Sequence, residues 1–153
     1  MSILADNKQA FFNYELLEKL EAGLALKGWE VKSIKLGRAS LRGAFIFFKA
    51  DEPYLINANI PAYQNSNTPK EYSPTQSRKI LLKRKEIVYL RSAVQERGLT
   101  LIPLRLYTKG DKIKVELALA RGKKRFDKRA TIKKRDAQRE IDRVIKKSSR
   151  KRG

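Results

Sequence analysis

The stretch "LTLIPLRLYTKGDKIKVELALARGK", residues 99–123, decides the fold. Leu99, Leu101, Pro103, Arg105 and Tyr107 share one parity, and Thr100, Ile102, Leu104 and Leu106 share the other. "TKGDK" turns the chain. Ile113, Val115, Leu117 and Leu119 then alternate with Lys112, Lys114, Glu116 and Ala118. A period of two on both sides of a Gly-Asp turn predicts a β-hairpin.

Working back toward the N-terminus, "SRKILLKRKEIVYLRSAVQERG", 77–98, predicts a helix. Leu82, Ile87, Leu90 and Val94 form its apolar stripe, and Gly98 stops it. Residues 64–77 are polar and Pro-containing, and read as a mobile loop. "GAFIFFKADEPYLINANIPAY", 43–63, reads as strand, turn, strand, with Pro53 fixing φ in the turn "KADEP". In its second strand Tyr54, Ile56, Ala58 and Ile60 alternate with Leu55, Asn57 and Asn59. "GWEVKSIKLGR", 28–38, suits a short helix that buries Val31, Ile34 and Leu36. Residues 11–26 are ambiguous. Leu16, Leu17, Leu20 and Leu24 suit a helix, which propensity favours. Phe12, Tyr14 and Leu16 alternate as a strand, and Gly23 argues for a bulge or a close backbone approach. Residues 1–10 read as a flexible lead. Beyond the hairpin, Ile132, Ile141, Val144 and Ile145 make a weak amphipathic helix over 130–147, marginal alone. There is no internal repeat.

Strands dominate this reading, interrupted by short helices. A small antiparallel barrel fits, because closure removes exposed edges. An OB-like barrel over 11–120, followed by a basic tail over 121–153, is the expected organisation; a sandwich is the other possibility.

The charge is strongly one-sided. Of 153 residues, 36 are Lys or Arg and 16 are Asp or Glu, a net +20. Residues 121–153 alone carry 16 basic and 4 acidic side chains. Such an imbalance calls for a polyanion. Nucleic acid leads, because phosphates release counterions when neutralised; an anionic membrane surface is second. With no Cys and no His, disulfides, thiolate chemistry and the commonest general base and metal ligand are all removed. The longest strictly apolar run, "AFIFF" at 44–48, cannot span a bilayer. No export signal opens the sequence, so a cytoplasmic protein is expected, and no cofactor. Glu15, Glu18, Glu21 and Glu30 could in principle hold a nuclease metal, but in so basic a chain they read as surface or ion-paired carboxylates. "KLGRAS" is no phosphate-binding loop. No enzyme is expected.

Nucleic-acid contacts have clearer candidates. Ser77, Arg78, Lys79, Lys83, Arg84 and Lys85 would surround the start of the 77–98 helix, where free amides and cations suit phosphate. The alternative is a solvated helix face over Ile80, Leu81 and Leu82. Asn57 and Asn59 would meet ribose or base edges from one side of a strand. Tyr54, Tyr63, Tyr72 and Phe126 could stack on bases, and Tyr72 and Phe126 lie among polar neighbours. Trp29, the single Trp, is either core or an RNA contact.

Several motifs now fall into a known order. "EAGLALKGWEVKSIKLGRASL" (21–41), "YLINANIPAY", "RKILLKRKEI", "RGLTLIPLRLY" and "LARGKKRFDKR" resemble, in sequence and spacing, the SsrA-binding protein family, small protein B of bacterial trans-translation. The resemblance covers about residues 7–136. It implies an OB-like barrel and turns 11–26 into strand. It implies a protein that binds the tRNA-like domain of transfer-messenger RNA (tmRNA) and carries it to stalled ribosomes, acting as a monomer without a membrane. The partners implied are tmRNA and the 16S and 23S ribosomal RNAs. Glu21, Leu81 and Lys83 match positions tied to tmRNA binding, and some relatives have Asn where Lys83 stands. Trp29, Glu30, Lys32, Asn57, Asn59, Arg78, Lys79 and Arg84 complete the candidate RNA surface. Gly122, Lys123 and Lys124 begin the tail, and Asp127, Lys128 and Arg129 match an element implicated in ribosomal engagement. Phe126 stands where relatives often have His or Tyr. With Lys133, Lys134 and Arg135, these residues would occupy the empty mRNA channel, the tail disordered when free and helical on the ribosome.

Overall fold

The computed structural model describes residues 2–64 and 68–123, with Arg139 beyond them. Along the chain run β1 (Ile3–Asp6), α1 (Lys8–Asn13), β2 (Tyr14–Leu24), α2 (Gly28–Lys35) and β3 (Phe45–Lys49). They are followed by β4 (Glu52–Ile56), β5 (Arg78–Leu81), α3 (Arg84–Arg97), β6 (Thr100–Lys109) and β7 (Lys112–Gly122). The seven strands form one antiparallel sheet in the order β1-β6-β7-β2-β5-β4-β3. The sheet curls until β3 meets β6. This is the expected OB-like barrel.

The hairpin forms as read, with Lys109 opposite Lys112 and Gly110 taking the left-handed φ of 65° that the turn needs. Its alternation, however, is broken once. A bulge between Pro103 and Arg105 adds one residue to β6. Pro103 has no N–H for the ladder, and its carbonyl instead accepts from Asn7 Nδ2 at 2.8 Å. Strict alternation would place Arg105 and Tyr107 beside Leu101. The extra residue reverses parity, so Leu106 joins Leu101 in the barrel core. Arg105, Tyr107 and Lys109 turn outward. A second bulge between Leu16 and Glu18 does the same in β2.

Two apolar clusters result. The barrel interior gathers Leu55, Ile80, Leu101, Leu106, Val115, Leu117 and Leu119, with Ile34 from α2 and Leu90 from α3. On the opposite face, Ile102, Leu104, Ala118 and Ala120 are covered by Ala10 of α1 and by Tyr14 and Leu16. Small side chains at 118 and 120 let that short helix lie close.

Several expectations are corrected. Residues 1–10 contain no free lead over Ile3–Asp6, because β1 pairs with β6 and Asn7 N–H bonds Leu104 O at 2.8 Å. Residues 14–24 are strand, as the resemblance implied and propensity did not: β2 is held between β5 and β7, and tertiary pairing overrides local preference. Residues 78–81 are strand rather than helix, and α3 begins only at Arg84. Gly98 ends it at φ 63°, as expected. Leu36 is 57% exposed, since α2 ends one residue earlier. The 50–51 turn is made by Ala50 and Asp51 at positive φ, while Pro53 is a buried strand residue. Strand β7 continues to Gly122, so the barrel ends past the expected boundary at 120. The expected helix over 130–147 and the tail beyond Lys123 lie outside the described residues, Arg139 excepted.

Candidate RNA interface

The two bulges bring Glu21 of β2 and Tyr107 and Lys109 of β6 onto one outward face. Glu21 lies opposite Glu116 of β7, and its carboxylate reaches across that strand. One oxygen accepts from the Tyr107 hydroxyl; the other accepts from Lys109 Nζ at 3.1 Å. The Tyr107 hydrogen bond, then that of Lys109, hold the Glu21 carboxyl below the usual carboxylate range. Burial, reinforced by the bond to Glu21, pushes the Tyr107 phenol up. At neutral pH the pair is therefore a phenol donating to a carboxylate.

Beside it, Gly23 of β2 pairs with Leu81 of β5. A Cβ on Gly23 would stand 3.3 Å from Leu81 Cβ, so glycine permits the close approach expected from sequence. The bulge of β2 is elsewhere, at 16–18. Leu81 is 50% exposed. It lines a groove of about 410 Å³ together with Gly23, Leu26, Val31, Asp111, Lys112 and Lys114. Apolar side chains beside two lysines and one aspartate suit a base or ribose with its phosphate near the lysines. The structure therefore brings Glu21 and Leu81, 60 residues apart in sequence, to one face.

Lys83 precedes α3, and its backbone N–H donates to Glu86 Oε1 at 3.1 Å. Lys83, Arg84 and Lys85 are exposed at this helix start. Ser77, Arg78 and Lys79 are not there, because they precede or belong to β5. Lys79 is exposed and faces Glu52 at 3.8 Å.

Arg78 and Glu30 take a different role from the one expected. Both are buried, at 2% and 1% exposure. Arg78 Nε donates to Glu30 Oε2 at 2.7 Å, and Nη1 donates to Ala58 O at 2.6 Å. Nη2 bonds the Tyr72 hydroxyl and Pro74 O at 2.9 and 2.8 Å. Neither charge is open to a ligand here; the pair ties α2, β5 and the 58–74 connection together. Tyr72, read as a possible stacking residue, is half-buried in this node and donates to Ile60 O at 2.7 Å. The Trp29 ring meets it edge-on, 5.9 Å between centroids. Trp29 is thus mainly a packing residue. Lys32 remains exposed, its ammonium 5.5 Å from the Tyr63 ring centroid. Asn57 and Asn59 are exposed but do not continue β4, since Asn57 at φ 62° ends it and Asn59 bridges to Ser40.

Gly122 pairs with Tyr14, and Lys123 donates from its backbone to Asn13 O and from Nζ to Phe11 O, both at 2.9 Å. These two proposed tail residues are tied to the barrel. Lys124, Phe126, Asp127, Lys128, Arg129, Lys133, Lys134 and Arg135 lie outside the described residues. The four glutamates weighed as metal ligands do not converge. Glu15 pairs with Arg121, Glu18 accepts from Tyr89, Glu21 from Tyr107, and Glu30 from Arg78.

The family model described as "SmpB protein" matches residues 4–147. The chain belongs to the SmpB family. The "SsrA-binding protein" of Magnetococcus marinus is 48% identical over 144 residues, covering 94% of this chain and 95% of its own. That of Dehalococcoides mccartyi is 50% identical over 143 residues, covering 94% and 83%. Among solved structures, an SmpB chain described under "tmRNA-SmpB: a journey to the center of the bacterial ribosome" superposes with a TM-score of 0.64. It is 42% identical, and the match covers 78% of this chain and 84% of that one. Against this SmpB background, the reading from sequence missed Gly23's partner, Tyr107, Lys109, Lys112 and Lys114. The signal was present: a Pro inside an alternating strand marks a parity break, after which outward and inward residues exchange.

Proposed function

We propose that this SmpB-family chain binds the tRNA-like domain of tmRNA and delivers it to stalled ribosomes for trans-translation. The relatives' names and the ribosomal tmRNA–SmpB structure support this reading. The observation that carries it is the groove that Leu81 and Gly23 line beside Lys112 and Lys114, with Glu21 two residues before Gly23 on the same strand. Lys83, Arg84, Lys32, Asn57, Asn59 and Lys79 extend the contact surface, and Arg78, Glu30 and Trp29 hold its shape. The chain acts as a cytoplasmic monomer and an adaptor without catalysis. Residues 124–153, with 14 basic and 4 acidic side chains, contact 16S and 23S rRNA and occupy the empty mRNA channel.

The test is reconstituted trans-translation with the full chain and with residues 1–123. The shortened chain is expected to hold tmRNA and fail to support tagging. Tagging at the full rate by residues 1–123 would remove the role given to the tail.

A further inference from the structure

Glu21 presents a chemical puzzle. A carboxylate beside Lys109 and Lys114 repels the phosphates that those cations attract. Beyond Tyr107 and Lys109, its oxygens have lone pairs left to receive RNA donors, such as the N1–H and N2–H edge of guanine or a ribose 2′-hydroxyl. An acceptor discriminates best when its two oxygens are fixed, because a rotating carboxylate would adapt to many partners.

Two groups fix it. Tyr107 is 5% exposed, its ring held in the sheet, with its hydroxyl on one Glu21 oxygen. Lys109 holds the other at 3.1 Å, but from an exposed and flexible stem. Tyrosine has two side-chain torsions and a rigid ring, so it loses less freedom in locking the carboxylate than lysine does. We infer that Tyr107 is the positioning residue of the RNA site, holding Glu21 in a fixed orientation as an acceptor for base or ribose donors. This rests on the function proposed above.

The groups facing Glu21 are Tyr107 and Lys109 from β6, and Lys114 and Glu116 from β7. Of these, the Tyr107 bond contributes most to holding the carboxyl ionised. Tyr107→Phe keeps the ring and removes only the donor, so the fold should persist.

The experiment measures affinity for the tRNA-like domain of tmRNA, and for an unstructured RNA of equal length. Four full-length proteins are compared: parent, Tyr107→Phe, Glu21→Ala and the double variant. Alongside, the Glu21 carboxyl carbon is titrated by NMR in parent and Tyr107→Phe. Thermal melting of each protein confirms folding. The expected result is a loss of roughly five- to tenfold for Tyr107→Phe in the parent and little further loss in Glu21→Ala. The Glu21 titration should move up toward the ordinary carboxylate range. Unchanged affinity in Tyr107→Phe overturns the inference. So does an equal loss in both backgrounds, which would mark the hydroxyl as structural. A parent with no preference for the structured RNA overturns the proposed function itself. Parent preference that Tyr107→Phe retains in full overturns only the role of Tyr107.

Discussion

Arg78 Nε stands 2.7 Å from Glu30 Oε2, with both side chains sealed from solvent. The two are 48 residues apart in sequence and join β5 to α2. A buried charge left without its partner is costly, by about 3–5 kcal/mol. Here the guanidinium also satisfies two backbone carbonyls. Arg78→Met should therefore lower unfolding free energy by about 3–5 kcal/mol, read from urea melts. Glu30→Gln should cost less, because the amide oxygen can still accept from Arg78. A near-neutral Arg78→Met would contradict the structural role.

Leu81 is half exposed, so truncating it removes little burial. Leu81→Ala should change stability by no more than about 1 kcal/mol and weaken tmRNA binding by about tenfold. Gly23→Ala should act on both, because its Cβ would sit against Leu81 at 3.3 Å. Equilibrium melts paired with RNA titrations separate the two effects. An Ala at 81 that binds normally would remove the groove from the site.

The turns carry their own test. Ala50 sits at φ 49° and Gly110 at φ 65°. Ala50→Gly should stabilise by about 0.5–1 kcal/mol, and Gly110→Ala should destabilise by about 1 kcal/mol, in chemical denaturation. A destabilising Ala50→Gly, or a Gly110→Ala that costs nothing, would show that the turn conformations are not as described.

Stability should respond to pH at both ends through the Glu21–Tyr107 pair. Glu21's folded pKa is lowered, so its contribution is present above the unfolded value of 4.5 and lost as pH falls through the folded one. Tyr107's folded pKa is raised, so its contribution is present below 10.0 and lost as pH rises beyond it. Tyr107→Phe should flatten the alkaline limb of the thermal-melting profile, and Glu21→Gln the acid limb. Profiles identical to the parent would contradict the hydrogen bond.

The sequence made the barrel legible through the hairpin, because Ile113 to Leu119 of β7 alternate between the barrel core and more exposed or smaller side chains and so keep a period of two. Strand β5 was not legible. Its four residues, "RKIL", continue without a break into charges that suit a helix, and only pairing with Gly23 and Leu24 on one side and Tyr54 and Leu55 on the other makes them strand. Glu21 and Leu81 were reached through family resemblance. The arrival of Tyr107 beside Glu21 depends on a bulge that shifts parity by one residue. Arg78 and Glu30 looked like surface charges because nothing local marks a cation that will be buried against a carboxylate from another element.

The most direct test is binding of the full chain and of residues 1–123 to the tRNA-like domain of tmRNA, against an unstructured RNA of equal length, across a salt series. The cut follows Lys123 because that residue still bonds Asn13 and Phe11. Both chains should prefer the structured RNA and keep that preference at high salt, with a shallower salt slope for the shortened one. A preference that vanishes with salt, or that resides only in residues 124–153, would contradict a shaped site on the barrel.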